Sequence, residues 1–216
     1  MSRFHASAVD LQTLRDLGSA TVYEAQGAKG ALDSGIKPIH PSMRVAGPAM
    51  TVDIRPADNL MLHYALLKVQ PGEVLVVDAK AFVEAGPWGD VLTEQAISKG
   101  VAGLVINGAV RDATSITEMG FPVFCRALSI KGTGKNQPGE INIPVHIGGV
   151  RIRSGDIVVG DQDGIVIVPR EDVTQVVSNG LAREEKEATY RARIKAGANT
   201  VELLGLEDTL RRLNLE

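Results

Sequence analysis

Residues 73–120 read EVLVVDAKAFVEAGPWGDVLTEQAISKGVAGLVINGAVRDATSITEMG, and the order of elements in this stretch decides the fold. Glu73 to Ala79 is a β-branched apolar run opened by the Pro71-Gly72 turn, which predicts a buried strand. Val91 to Lys99 has helical spacing, with Val91, Leu92, Gln95 and Ala96 around one face and Gly100 as a C-terminal stop. Val101 to Ile106 is a second apolar strand. Asn107-Gly108 then punctuates the chain before a short helix from about Asp112 to Met119. Strand, helix, strand, helix favours parallel pairing through a right-handed crossover. The loops Gly89-Asp90 and Arg111-Asp112 would then both follow the carboxyl ends of neighbouring strands, where open α/β sheets place ligands. Each loop also opens a helix, whose free N–H groups and positive dipole end favour a carboxylate.

Composition sets the outer bounds. The chain has 216 residues, 44% of them hydrophobic, enough for one core with a helical tail, and a single domain over 1–216 is expected. A net charge of −3 argues against phosphate-driven nucleic-acid binding, and 4% aromatics argue against a base-stacking platform. Cys125 is the only cysteine, which excludes an internal disulfide and fits a reducing compartment. The start MSRFHASAVD has no apolar signal region, and no apolar run approaches membrane-spanning length. A soluble cytoplasmic protein, acting on neither nucleic acid nor membrane, is the expectation.

Outside the central stretch, Asp10 to Gln26 predicts an N-terminal helix ended by Gly27 and Gly30, and Ala49 to Ile54 a strand. Asp58 is placed to cap a helix from Leu60 to Val69. Short strands follow at Pro122–Arg126, Val145–Ile147, Val150–Arg153, Ile157–Gly160 and Ile165–Pro169, joined by turns such as Ser154-Gly155-Asp156. Parallel units running into a β-meander suggest two packed sheets with helices on one side. A charge-rich helix from Glu171 to about Ala196 and a second from Val201 to Leu213 form a C-terminal segment suited to an oligomer contact.

Several residues carry plainer readings. Asp90 and Asp112 are favoured N-cap residues, and Arg111 alone reads as a solvated or ion-paired side chain. Asn107 and Gly108 before Arg111 shift that balance, because they let backbone approach a ligand closely. Asp161-Gln162-Asp163-Gly164 lacks the spacing and terminal glutamate of a calcium loop and reads as a hairpin turn. His63 reads as a packed or surface histidine. Gly132-Thr133-Gly134-Lys135 is not a phosphate-binding P-loop and reads as a flexible loop able to cover a site.

The pattern Gly89-Asp90, twenty residues, Arg111-Asp112 resembles the signature of the class II pyruvate aldolases that cleave 4-hydroxy-4-methyl-2-oxoglutarate and 4-carboxy-4-hydroxy-2-oxoadipate, a family that includes the regulators of ribonuclease E activity. The likeness extends to Ser19–Ala25, Asp58-Asn59 with the helix after it, EMGFPVF from Glu118, Lys131-Gly132-Thr133, Ile141–Pro144 and the run from Gly155-Asp156 to Pro169. It implies an α/β fold, a β/β/α sandwich of swivelling-domain type with C-terminal helices, assembled as a homotrimer or homohexamer with sites between protomers.

The resemblance also assigns roles. Asp112 would be the direct protein ligand of Mg²⁺ or Mn²⁺, with waters completing the shell. Arg111 would hold the ketone oxygen and the enolate that develops from it. The Gly89-Asp90-Val91-Leu92 turn would hold the carboxylate of a small 2-oxo acid, and Asp90 would orient a metal-bound water. A glutamate from a neighbouring subunit's C-terminal helix would assist; by position it is Glu187, with Glu184 and Glu185 left open. The implied chemistry is cleavage to pyruvate plus an oxo acid. The ketone acts as an electron sink and a metal-bound water takes the C4 hydroxyl proton, and oxaloacetate decarboxylation proceeds through the same enolate. A Schiff-base route needs a desolvated lysine, and Lys80, Lys131 and Lys135 all sit in polar or glycine-rich sequence. The rival readings are a non-catalytic regulator acting through protein contacts and a methyltransferase, for which no glycine-rich cofactor loop is present. Arg44, Arg126, Lys131 and Lys135 are the candidate cations for the substrate's distal carboxylate.

Overall fold

In the computed structural model, residues 6–215 are described; the first half of the MSRFHASAVD start and Glu216 lie outside them. The parallel unit forms as the sequence predicts. β2 (Val45–Asp53), β3 (Val74–Phe82), β4 (Gly103–Val110) and β5 (Val123–Cys125) run parallel in that spatial order, with α2 (Leu60–Leu66), α3 (Asp90–Ser98) and α4 (Ala113–Glu118) between them in sequence. The sheet continues antiparallel on the β2 side through β10 (Ile157–Gly160) and β11 (Ile165–Val168). It is edged at β5 by β1 (Lys37–Pro38), while β6 (Ala127–Leu128) adds to β4 and β7 (Glu140–Ile141) to β2. β8 (Val145–Ile147) and β9 (Val150–Ile152) form a separate hairpin.

Side-chain alternation along the strands sorts the core into three parts. Leu75, Val77, Leu104 and Ile106 face α2, α3 and α4. Val74, Val76 and Val105 face inward and meet Val158, Ile165 and Ile167 from the antiparallel half, with Val145, Ile147 and Ile152 of the hairpin closing the space. Ile157, Val159, Val166 and Val168 point outward again, onto α1 (Ala8–Ala25) and α5 (Val173–Lys195). The two packed layers are therefore halves of one curled, nearly closed sheet, and helices cover the outer face of each half.

Several boundaries differ from the sequence reading for identifiable reasons. Asn107 and Gly108 lie inside β4 rather than in a turn, because the strand runs on to Val110 with Gly108 paired to Phe82. α2 stops at Leu66, short of the Val69 expected. The segment expected as one helix from Val201 to Leu213 divides into α6 (Thr200–Leu204) and α7 (Glu207–Arg212), since Gly205 takes a left-handed φ of 64° that ends a helix. α1 starts at Ala8 on a capping box between Ser7 and Asp10, and Gly18 breaks it with φ 79°. Asp161 restarts it: one carboxylate oxygen accepts from the Ser19 amide at 2.7 Å and the other from the Ser19 hydroxyl at 2.6 Å. The Asp161–Gly164 segment is the β10–β11 hairpin turn, as read from sequence.

The least regular feature lies at the end of β3. Val77 pairs with Ile106 and Phe82 with Gly108, so β3 takes five steps where β4 takes two. The excess is absorbed at Lys80 and Ala81, both at positive φ (59° and 55°). Asp78 accepts from the Lys80 amide at 3.0 Å, and the Lys80 ammonium is bound by Asp78 at 2.7 Å and by Asp53. The bulge re-aims the chain into the loop that carries Gly86 and Gly89.

Asp161→Ala, which unties the restart of α1, should lower stability by about 2 kcal/mol, the scale of losing hydrogen bonds to a charged acceptor. Urea unfolding would show it as a lower midpoint at unchanged slope; a midpoint equal to the parent's would mean the Ser19 contacts contribute nothing.

Candidate functional site

The loops after β3 and β4 meet as the parallel reading requires. A cavity of about 280 Å³ is lined by Gly86, Pro87, Gly89, Asp90, Val91 and Leu92 from the first loop and the start of α3, and by Arg111 from the second. Asn59 and His63 from α2, and Gly132, Thr133 and Lys135 from the loop after β6, complete the wall. The first loop is rigid for a visible reason. Trp88 is fully buried, stacks on Phe121 at 6.2 Å, and donates its indole N–H to the Thr93 hydroxyl at 2.8 Å. Thr93 in turn donates its hydroxyl (3.0 Å) and its amide (3.1 Å) to the Gly89 carbonyl.

Glycines create the room for Arg111. A Cβ on Gly89 would sit 2.4 Å from Asp112 Oδ2 and 3.1 Å from Arg111 Nε. One on Gly86 would sit 3.1 Å from Arg111 Cβ, and one on Gly132 would reach ordinary contact with Arg111 Nη1 at 3.9 Å. The guanidinium thus runs along a channel floored by three residues without side chains, tied at its root by the Arg111 amide donating to the Trp88 carbonyl at 2.9 Å. Arg111 Nε pairs with Asp112 Oδ2 at 3.3 Å, and the Asp90 amide donates to the same oxygen at 3.3 Å.

The capping alternative fails for one aspartate and holds only by position for the other. Gly89, not Asp90, is the N-cap of α3, and Asp90 turns its carboxylate onto the Val91 amide at 2.7 Å. Asp112 is the N-cap residue of α4, but it sits there in a left-handed conformation (φ 56°, ψ 36°) and its side chain makes no capping hydrogen bond. A left-handed non-glycine residue costs backbone energy that local packing must offset, and such positions cluster at working sites.

The other sequence candidates separate cleanly. Arg126 is bound by both oxygens of Asp33 at 2.9 and 2.5 Å and by Asn107 at 2.5 Å, so it is not free to receive a ligand. Lys131 pairs with Glu84 at 2.9 Å, and Arg44 is outside the cavity lining. Burial disfavours the charge of Lys80, but the hydrogen bonds it donates to Asp53 and Asp78 outweigh it and hold the ammonium above its ordinary value, unsuited to Schiff-base work. Lys135 is the one of these cations that lines the cavity. Burial pushes the Cys125 thiol up to about 11, so it is no nucleophile at neutral pH. Glu187 does not line the cavity; its carboxylate is held by Arg183 at 2.9 Å and Arg191 at 3.3 Å along α5, where Glu184 and Glu185 are exposed.

The Gly132–Lys135 loop is not free-standing. Asp58 is 2% exposed and accepts from the Leu60 amide at 3.0 Å with one oxygen and from the Asn136 and Gln137 amides at 2.9 and 3.2 Å with the other. One carboxylate therefore starts α2 and pins the loop. Burial raises its pKa, but these backbone donors and the Lys135 charge prevail, leaving Asp58 below the ordinary aspartate range. His63, read from sequence as a packed or surface residue, is in the wall: burial and the nearby Lys135 charge hold its imidazole below its usual value, and Nε2 is buried without a partner. A lone histidine on a helix gives no sequence signal for this; only its spacing of four from Asn59 was visible.

For a metal ion, this chain offers Asp90 in the cavity lining and Asp112, whose Oδ2 accepts from the Asp90 amide at 3.3 Å. No group of three or more His, Cys, Asp or Glu side chains converges among the described residues. That set suits Mg²⁺, which keeps several waters and uses one or two carboxylates, and does not suit an all-protein cage.

Against known proteins, the model of the RraA-like family (Aldolase/RraA) matches residues 18–167. The chain belongs to that family. It is 35% identical over 187 residues, 87% of this chain and 88% of the other, to a Halalkalibacterium halodurans protein named provisionally as a 4-hydroxy-4-methyl-2-oxoglutarate aldolase. Its structure superposes on an uncharacterized Pseudomonas syringae protein with a TM-score of 0.84 at 28% identity, covering 94% and 96% of the two chains. It also superposes on Streptomyces coelicolor RraAS2, an unusual member of the RNase ES inhibitor RraA family, with a TM-score of 0.77 at 31% identity, covering 88% and 100%. No helix among the described residues is long and apolar enough to cross a membrane.

Asp58→Ala should cost about 2 kcal/mol at pH 7, from one helix cap and two buried amides left unpaired. Because the folded pKa is depressed, this stabilisation is complete above the ordinary value of 3.8 and is lost as pH falls through the lower folded value. Urea midpoints of parent and variant should therefore converge in acid; coincident midpoints at neutral pH would show that Asp58 pins nothing.

Proposed function

We propose that the protein is a divalent-metal-dependent lyase that cleaves a 4-hydroxy-2-oxo acid, such as 4-hydroxy-4-methyl-2-oxoglutarate or 4-carboxy-4-hydroxy-2-oxoadipate, to pyruvate and a second oxo acid, with oxaloacetate decarboxylation as a side activity. The observation that carries this reading is Arg111 held in its glycine channel beside Asp112 and the N-terminal turn of α3. In this reading the amides of Gly89 to Leu92 bind the substrate carboxylate at the positive end of the helix. Arg111 then lies beside the ketone oxygen. As the C3–C4 bond breaks, its electron pair passes into an enolate, and the fixed guanidinium stabilises the growing negative charge with no reorganisation. Asp112, with Asp90 beside it, would hold Mg²⁺ or Mn²⁺, which supplies Lewis-acid polarisation of the 2-oxo acid when bound. Glu187 from a neighbouring subunit of a homotrimer or homohexamer would complete the acidic side of the site.

Likeness to RraAS2 keeps a regulator reading alive, in which the same surface serves protein contacts without turnover. Pyruvate release separates the two. The parent should release pyruvate from one of the two named substrates and from oxaloacetate only with Mg²⁺ or Mn²⁺ present. Arg111→Ala and Asp112→Ala should each lower kcat/KM at least about 100-fold, the scale of removing an oxyanion donor. Unchanged release in both variants would displace the site, and no release from any substrate would favour the regulator.

Gly89→Ala tests the channel. The added methyl meets the movable carboxylate of Asp112 at an ordinary extended φ of −150°, so the fold should survive while Asp112 and Arg111 are displaced. A tenfold or greater loss of pyruvate release at a near-parent urea midpoint is expected; parental turnover would show that the close approach is dispensable.

A further inference from the structure

Two polar atoms on the α2 wall of the cavity are buried without partners: Asn59 Oδ1 and His63 Nε2. The reason lies in the local capping. Asp58 takes the Leu60 amide at 3.0 Å, and Asn59, the residue at the N-cap, makes no capping hydrogen bond because its side chain is turned onto the neighbouring loop. Its side chain, 7% exposed, donates Nδ2 to the Pro87 carbonyl at 2.9 Å. That bond fixes which amide atom faces where, because Pro87 needs a donor, and leaves Oδ1 as an unused acceptor. His63 comes four residues later, on the same helix face. Lys135 reaches the same wall because the Asn59 amide donates to the Gly134 carbonyl at 3.0 Å and the Gly134 amide to the Ala57 carbonyl at 2.8 Å. Among the described residues Lys135 forms no ion pair.

We propose that Asn59, His63 and Lys135 form a specificity subsite for the far half of the substrate, one that takes a carboxylate on a carbon also bearing a hydroxyl. This rests on the lyase reading for its place in a reaction but not for its chemistry. A buried acceptor calls for a donor, which a hydroxyl supplies to Asn59 Oδ1. An ammonium without a salt bridge can take an anion, which a carboxylate supplies to Lys135, with the neutral imidazole of His63 donating from Nε2 to the same group. Arg111 and the Gly89–Leu92 turn line the same cavity, together with Pro87 and the apolar side chains of Val91 and Leu92. A ligand that carries a second polar group beyond the one held by Arg111 and the turn therefore matches the wall. An aldol whose far half is a bare alkyl chain would leave Asn59, His63 and Lys135 all unpaired and is selected against.

The test uses unreactive probes on the full-length protein with Mg²⁺, so that binding is read without turnover. Citramalate carries a hydroxyl and a carboxylate on one carbon; methylsuccinate is the same acid without the hydroxyl. By calorimetry, the parent should bind citramalate at least tenfold more tightly than methylsuccinate. Asn59→Ala should abolish that preference, and Lys135→Ala should weaken citramalate at least tenfold, with Lys135→Arg restoring most of it. Lys135 is exposed, so its variants do not threaten folding. Equal affinity for the two probes, no binding of either, or a Lys135→Ala protein that binds citramalate like the parent would each overturn the subsite. Hydroxyl-dependent binding in a protein that releases no pyruvate would leave the subsite standing and remove the lyase.

Discussion

From Val74 to Val77 the third strand runs in step with Gly103 to Ile106 of the fourth, both pointing the same way, and the placement of the cavity depends on this parallel lock. Neighbouring strands lie about 4.8 Å apart, so the chain segments leaving them at one edge must share the same small space. Ordinary side chains would collide there. Glycine at 86 and 89 on one side, and at 132 on the loop above, lets a long cation lie where three backbones converge. The bulge at Lys80 and Ala81 belongs to the same arrangement, since it turns the third strand's exit toward the fourth's.

Behind that edge a row of charges crosses the mouth of the curled sheet. Asp53 and Asp78 hold Lys80; Asp78 also accepts from Asn107 at 2.9 Å, Asn107 accepts from Arg126, and Arg126 grips Asp33. The row is partly exposed, and each cation in it has two partners. None of its members lines the cavity. The row also explains how a chain with many basic residues near the site leaves so few of them available.

The strand–helix alternation from Glu73 to Met119 and the placement of its two loops were legible in sequence because they stem from hydrophobic period and from turn chemistry, both local properties. Arg111 and Asp112, by contrast, stood out only through the resemblance of the two-loop motif. What escaped reading depends on contacts between distant residues. Arg126 is committed to Asp33, 93 positions earlier, and nothing near either residue announces it. The strand bulge uses lysine and alanine at positive φ instead of glycine, so the usual marker is missing. Asn107-Gly108 carried a turn signal that the sheet overrode, with both residues inside the strand. Asn59 and His63 acquired their character only through burial, and through the Asn59 side chain turning onto Pro87 instead of capping its helix.

That single carboxylate has an implication for how such a protein could diversify. Asp58 holds residues 136 and 137 by their backbone amides, so the anchoring makes no demand on the side chains at those two positions, while Gly134 and Gly139 beside them are fixed by close approach to Asp58 and Asp53. Side chains between the two glycines could be exchanged without disturbing the helix the loop is tied to. The loop is, in effect, a replaceable cartridge: evolution or a designer could change which molecules are accepted at one end of the cavity while the machinery at the other end stays as it is.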